Sequence, residues 1–422
     1  MTRAADPRSP AAAAGPAGGR RRRGPLGDRA AVVLIGCFLM LQPLSTDFYL
    51  ASLPGLARTF AASVATIQLT LSVFIIAFGT MQLVIGPLSD RHGRYPVTIA
   101  GIALYAAASI ACAAAPSIET LIVARFFQAI GCCTVVVVAR AVIRDMFDPL
   151  TGAKVMAQAS TLLAIGPLFG PILGSFLEVR FGFRAAFVVL TVFSGALLVA
   201  TLAWLPETNP HPDATATRPG ALLRNYARVL RSPHFLSYAL VGAASYGGLF
   251  AFISGSPFVL IGVLGVPTAW FGFCFAFCVV GYLLGTIACR HLLARRGIVR
   301  TLKLSACVSA AGGMAMAALA VVGLQHWAAI LLPQFVFMFA HGINFPCAQA
   351  GAVAPFPRQA GAAAGVLGFL TMALAALVGW WIGASNDGTV YPLAFTIATA
   401  GLGVLATVWG WVVRLPGAAT RG

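Results

Sequence analysis

Gly86-Pro87-Leu88-Ser89-Asp90-Arg91-His92-Gly93-Arg94 is a polar, basic turn set between two long apolar runs. The run before it covers 66–88 and the run after it 96–115. About 20 apolar residues make a helix long enough to cross ~30 Å of hydrocarbon, so a short charged turn between two such runs predicts a hairpin of membrane helices. The alternation continues outward. Upstream lies a run over 31–54. Downstream lie 119–140, 155–177, 184–205, 235–260, 268–290, 301–323, 327–350, 360–384 and 390–414, which completes twelve. Gly and Pro inside the runs are tolerated in membrane helices, where neighbouring helices re-satisfy freed backbone groups. A β-barrel would need short alternating strands, and nothing here alternates.

Composition agrees. Of the 422 residues, 59% are hydrophobic and 9% are charged, too little charge to cover a soluble surface of this size. That excludes an ordinary cytosolic enzyme, a disordered protein and a disulfide-stapled secreted module. Residues 1–29 are rich in Ala, Pro, Gly and Arg and read as a disordered arm. A cleaved signal peptide is the competing reading, opposed by the length of the apolar run that follows and by the lack of a small-residue cleavage site. The nine cysteines fall within spans and form no C-x-x-C pair. They read as small apolar fillers, with no metal site and no cofactor implied.

Charge orients the chain. With the N-terminus cytoplasmic, 24 of the 28 Lys and Arg residues fall on the cytoplasmic side. Arg58, Arg180 and Arg184 fall outside, and Arg125 lies within a span. This positive-inside split predicts both termini cytoplasmic in a multi-pass plasma-membrane protein. The formal charge of +17 is then topology and attraction to the lipid bilayer. No basic stripe on a soluble fold suggests nucleic acid.

The longest polar stretch between spans, 206–234, has six spans on either side. It reads as a cytoplasmic linker between halves at 30–205 and 235–414, with a tail at 415–422. Gly285, Arg290 and His291 after the eighth span repeat the spacing of Gly86, Arg91 and His92 after the second. Two halves of this kind are the pattern of transporters built from repeats.

Three motifs sharpen this. In the 86–94 turn, Gly86 permits close helix approach, Gly93 permits φ > 0, and Asp90 can accept charge-assisted bonds from an Arg or a helix N-terminus. Arg125-Phe126-Phe127-Gln128-Ala129-Ile130-Gly131 lies in the fourth span. The fifth carries Gly166-Pro167-Leu168-Phe169-Gly170-Pro171-Ile172-Leu173-Gly174, a small-residue stripe with two prolines. The turn resembles the G-x-L-a-D-R-x-G-R signature of the major facilitator superfamily. The second motif resembles that family's R-x-x-q-G-x-G, with Ala129 in place of the first glycine. The third resembles the G-P-x-x-G of its antiporters. Ser45-Thr46-Asp47-Phe48-Tyr49-Leu50 and 139–147 narrow the likeness to drug:proton antiporters of the bicyclomycin and chloramphenicol resistance type. The second half is similar mainly over 342–370, and Phe181-Gly182-Phe183-Arg184 departs from a commoner Gly-Trp-Arg. The resemblance implies an all-α fold of twelve transmembrane helices in two six-helix halves, acting as a monomer. It makes residues Gly86, Asp90, Arg91, Gly93 and Arg94 a cytoplasmic latch between the halves. It also places the first, fourth, seventh and tenth spans around a central cavity.

Asp47 is the only acid well within a span, and Arg125 the only base. Intramembrane charges face cavities or relay protons. Counted from the outer ends at Pro54 and Glu119, both lie roughly 10 Å deep at ~1.5 Å per residue. Equal depth predicts an Asp47–Arg125 pair, or a shared water network, for proton coupling. The plainer alternative has Arg125 snorkelling to the interface. Further cavity candidates are Tyr49 and Gln128, Tyr246 and Phe250 in the seventh span, and Gln334, His341 and Asn344 in the tenth. Packing is the alternative for the aromatic residues.

These readings predict a proton-coupled antiporter exporting small hydrophobic or amphipathic drugs from a bacterial inner membrane, with protons and a small molecule as its partners. A metabolite carrier on the same fold, such as one for a sugar or nucleoside, is the first alternative. A polytopic membrane enzyme is the second. No Walker loop, H-E-x-x-H or G-x-S-x-G supports ATP-driven pumping or a common hydrolase. No filter sequence supports a channel.

Overall fold

A computed structural model describes residues 28–209 and 212–415. The arm read over 1–29 lies outside them apart from its last two residues, and the tail over 415–422 apart from Leu415. Among the described residues all regular structure is helical. In chain order the helices are α1 (Asp28–Asp47), α2 (Leu53–Thr59), α3 (Val64–His92), α4 (Arg94–Ala113), α5 (Ile118–Met146), α6 (Pro149–Phe181) and α7 (Arg184–Trp204). They continue as α8 (Pro219–Leu230), α9 (Pro233–Pro257), α10 (Thr268–Val321), α11 (Ala328–Val353), α12 (Ala360–Ala384) and α13 (Tyr391–Gly410). Side-chain caps mark several starts: Ser63 accepts from Thr66 N, Ser117 from Thr120 N and Ser232 from Phe235 N.

Ten helical stretches among the described residues are long and apolar enough to cross a membrane. α10 accounts for two crossings. Its 54 residues would run about 80 Å as one rod, far beyond ~30 Å of hydrocarbon. Gly297, at φ 66° and ψ 176°, breaks it. On either side of the break, Cys289 Sγ lies 3.9 Å from the Ile343 carbonyl and Ser305 Oγ lies 2.5 Å from Asn344 Oδ1. Both segments therefore lie beside the same part of α11, and the chain doubles back at one residue. The 33-residue α6, with two prolines in its apolar length, completes twelve crossings.

The first crossing runs further than its sequence suggests. The span ending at Pro54 continues to Thr59. Pro54 lacks an N–H, and its ring conflicts with the carbonyl four residues back. α1 ends at Asp47, a 3-10 turn covers Leu50–Ser52 where that conflict falls, and α2 restarts with the proline in its first turn.

The two halves, α1–α7 and α9–α13, meet along two seams. α3 packs antiparallel to α12. A β-carbon added at Gly383 would stand 2.9 Å from Gln68 Cβ, and one at Gly379 would stand 2.8 Å from Ser72 Oγ. The second seam joins α6 to α10, where Gly272 sits against the backbone of Pro171 and Ile172. Lipid supplies no hydrophobic drive between membrane helices, so close approach at small residues carries this packing.

Candidate functional site

Arg125 stands two turns into α5 and is fully buried. Its Nη1 donates to the Ser45 carbonyl at 2.9 Å and to Gln128 Oε1 at 2.6 Å, and its Nε to the Thr70 carbonyl at 3.4 Å. Nη2 has no partner. The guanidinium lies 4.2 Å from the ring centroid of Phe74 and 5.1 Å from that of Tyr49, close enough for cation–π attraction. Gln128 passes the chain on, donating from Nε2 to Ser109 Oγ at 2.8 Å. The Tyr49 hydroxyl meets Thr70 Oγ1, and Ser45 Oγ meets the Tyr105 hydroxyl at 2.6 Å. Arg125 thus ties α1, α3 and α5 together through carbonyls, an amide and ring faces.

Asp47 is 3% exposed. Thr46 Oγ1 donates to its Oδ1 at 2.8 Å. α6 comes close here because Gly170 leaves room: a β-carbon there would stand 3.1 Å from Asp47 Cβ. Gly166 does the same against Pro43, and Gly174 against the Phe48 carbonyl. The glycine stripe of α6, interleaved with Pro167 and Pro171, therefore presses on α1. From the other half, Tyr246 of α9 stands beside Gln42 and within electrostatic reach of Asp47.

No ion pair joins Asp47 to Arg125, so of the two expected arrangements the direct pair is not formed. Depth is not the obstacle, since the guanidinium touches Ser45, two residues before Asp47. Two residues turn a helix by about 200°. With Ser45 facing α5, Asp47 faces the opposite way, toward α6 and α9.

In the second half, His341 Nδ1 lies 2.9 Å from Ser245 Oγ and joins α11 to α9. Tyr246, Tyr282 and Phe345 surround its imidazole, with ring centroids 6.2, 5.7 and 5.3 Å away. The other candidates separate from this cluster. Phe250 is buried against Gly379 of α12. Asn344 bridges Ser305 and Ser309 of α10, accepting from the first at 2.5 Å and donating to the second at 2.8 Å. Gln334 is buried, and neither side-chain amide atom is hydrogen-bonded among the described residues.

The 86–94 turn is a dense charge network. Arg94 is nearly buried and pairs with Asp90 at 2.5 Å and with Asp145 of α5 at 2.8 Å. Its Nη1 donates to Ser89 Oγ at 2.6 Å. Arg144 stands 3.9 Å from Asp90. Gly93 has φ 94°. Glu207 of the linker closes the turn, its Oε1 accepting from Arg94 N at 2.9 Å and its Oε2 from Tyr95 N at 3.1 Å. This is a carboxylate at a helix N-terminus, where the dipole favours it. Asn209 Nδ2 and Asp213 N donate to the Asp90 carbonyl, and Arg91 Nη1 donates to Thr217 Oγ1 at 2.7 Å. Thr215 donates to Asp213 through both its hydroxyl and its backbone N–H, which holds that carboxyl below the usual range.

Two expectations for this turn change. Gly86 has open space around it, so it makes no close helix approach. The polar partners of Asp90, Arg91 and Arg94 belong to the first half and the linker, not to the second half. The helix that reaches both halves is α8: Tyr226 Oη donates to the Leu83 carbonyl at 2.7 Å, and Asn225 Oδ1 accepts from Gln359 at 3.4 Å. Sequence reasoning passed over Glu207, Tyr282 and Phe345. Glu207 carried one signal, an acid beginning a linker otherwise rich in arginine.

The sequence profile of the Major Facilitator Superfamily matches residues 35–380. The bicyclomycin resistance protein homolog of Haemophilus influenzae is 27% identical over 368 residues, 87% of this chain and 92% of its own. Multidrug resistance protein D of Escherichia coli is 26% identical over 91% of this chain and 94% of its own. Among solved structures, a D-xylose-proton symporter superposes with a TM-score of 0.71 at 14% identity, covering 91% of this chain and 98% of that one. With a match over most of its length, two half-bundles of six crossings and the charged turn between α3 and α4, this chain belongs to the major facilitator superfamily.

Proposed function

We propose that the protein is a proton-coupled antiporter that exports small hydrophobic or amphipathic drugs by alternating access. The observation that carries this is Asp47, the one acid fully buried among the described residues, held where α1, α6 and α9 meet. An acid inside a membrane span usually faces a cavity or relays protons. Exposure to one side of the membrane then the other makes it a proton carrier. The aromatic faces of Tyr246, Tyr282 and Phe345 offer an apolar surface from the second half. The names of the similar proteins from H. influenzae and E. coli, which speak of drug resistance, support this class of substrate. The basic residues support an orientation with the 86–94 turn, the linker and both termini cytoplasmic in a bacterial inner membrane. The same reading makes the protein a monomer, with Asp47 and Arg125 coupling protons and the turn and linker governing the cytoplasmic closure.

The test uses everted membrane vesicles with a pH-sensitive dye. Drug addition should release protons with the wild-type protein. Asp47→Asn should abolish that release while the protein still reaches the membrane, and Asp47→Glu should keep part of it. Wild-type release from Asp47→Asn would overturn the assignment.

A further inference from the structure

An open groove of ≈ 680 Å³ runs along α13 at the face that carries the basic turns, lined by Leu402, Leu405, Ala406, Trp409, Gly410 and Arg414. Its wall is apolar for two turns. At the end nearest the basic face the chemistry changes. Arg414 closes the groove, and Lys303 of α10 places its Nζ 5.0 Å from the Trp409 ring centroid. Arg300, one turn before Lys303, is exposed on the same helix. None of these three cations is in an ion pair among the described residues. The sequence explains why. From 214 onward the sequence holds a single acidic side chain, Asp387, in the turn before α13. The 20 residues of that helix separate it from the groove's basic end, about 30 Å away.

We propose that this groove is a binding site for an anionic phospholipid. An acyl chain lies along Leu402, Leu405 and Ala406, and the phosphate meets Arg414 and Lys303. Trp409 stands at the boundary, where its ring covers chain and its edge faces the headgroups. A soluble anion would make no use of the leucine wall. A zwitterionic lipid would bring its own ammonium toward cations that already lack a carboxylate partner among the described residues. Basic pockets beside membrane helices select anionic headgroups on these grounds. The site is remote from Asp47 and does not depend on the transport reading.

Native mass spectrometry of the purified full chain in detergent tests it, with titrations of phosphatidylglycerol, cardiolipin and phosphatidylcholine. The first adduct of either anionic lipid should form roughly tenfold more tightly than that of phosphatidylcholine. The Lys303→Gln/Arg414→Gln double variant should bring the three lipids to within about twofold, while Arg231→Gln, a cation of the same face outside the groove, leaves the preference intact. Excess inorganic phosphate should not displace the lipid. Equal adducts for all lipids on the wild type would overturn the proposal. So would a preference that survives the double variant, one lost equally in Arg231→Gln, or displacement by phosphate alone. A monodisperse elution profile shared by all variants keeps these results from being read as misfolding.

Discussion

A guanidinium buried with no carboxylate beside it is costly, by several kcal/mol even after relaxation. Arg125 offsets that cost with acceptors on three helices and with two ring faces. Arg125→Lys tests the arrangement, because one ammonium cannot reach Ser45, Thr70 and Gln128 as the planar fork does. Leaving a buried acceptor unsatisfied costs about 1–3 kcal/mol, so thermal unfolding in detergent should shift down by several degrees. Unchanged melting would show that the fork does not bind the three helices together. The charges themselves were legible in the sequence, since Asp47 and Arg125 interrupt long apolar runs. Their separation was not. It depends on a rotation of about 200° between Ser45 and Asp47, and periodicity alone does not say which face of α1 meets α5.

At the scale of the element, the turn between α3 and α4 is shaped by one glycine and one carboxylate. Gly93→Ala would force φ 94° on a residue with a β-carbon and set that carbon 3.0 Å from the Glu207 carboxyl carbon. The strain is on the order of 1–3 kcal/mol. Glu207→Gln keeps the shape and removes the charge from the α4 N-terminus, for about 0.3–1 kcal/mol. Gly93→Ala should therefore lower the unfolding temperature clearly more than Glu207→Gln. A larger loss from Glu207→Gln would mean that the linker strap, not the backbone, fixes the turn. The spans were legible because twenty apolar residues leave few alternatives. α8 was not, since its twelve residues bury only a short face inside a polar linker. The six-residue π-helix over Phe258–Val263 carries no sequence signature beyond the preceding Pro257.

For the whole molecule, alternating access requires the halves to separate on one side and then on the other. On the side away from the basic turns they are joined by Gln68 Nε2, which donates to the Ser254 carbonyl at 2.5 Å across the α3–α9 contact. Ser72 and Ser256, on the same two helices, are buried with hydroxyls that find no hydrogen-bond partner among the described residues. One net hydrogen bond is worth about 0.5–1.5 kcal/mol, a population shift of roughly two- to tenfold. Gln68→Ala should raise the rate at which a membrane-impermeant maleimide modifies Ser256→Cys by that factor, read by mass spectrometry at that position. An unchanged rate would place the closure elsewhere. The division into halves was legible from six spans on each side of a polar stretch. The seam was not, because Gln68 and Ser254 are 186 residues apart and nothing local pairs them.

The single-residue reversal at Gly297 bears on how the chain is made. Two crossings that share no loop leave no slack for the first to settle while the second is still being synthesised. So tight a bend favours entry of the two crossings into the bilayer together, as a hairpin. Arg295, Arg296 and Arg300 crowd the bend, and dragging that charge across the membrane is the one route to an inverted hairpin. A bend of one glycine flanked by three arginines therefore opposes inversion of the hairpin by its charge alone, whatever the tertiary contacts around it.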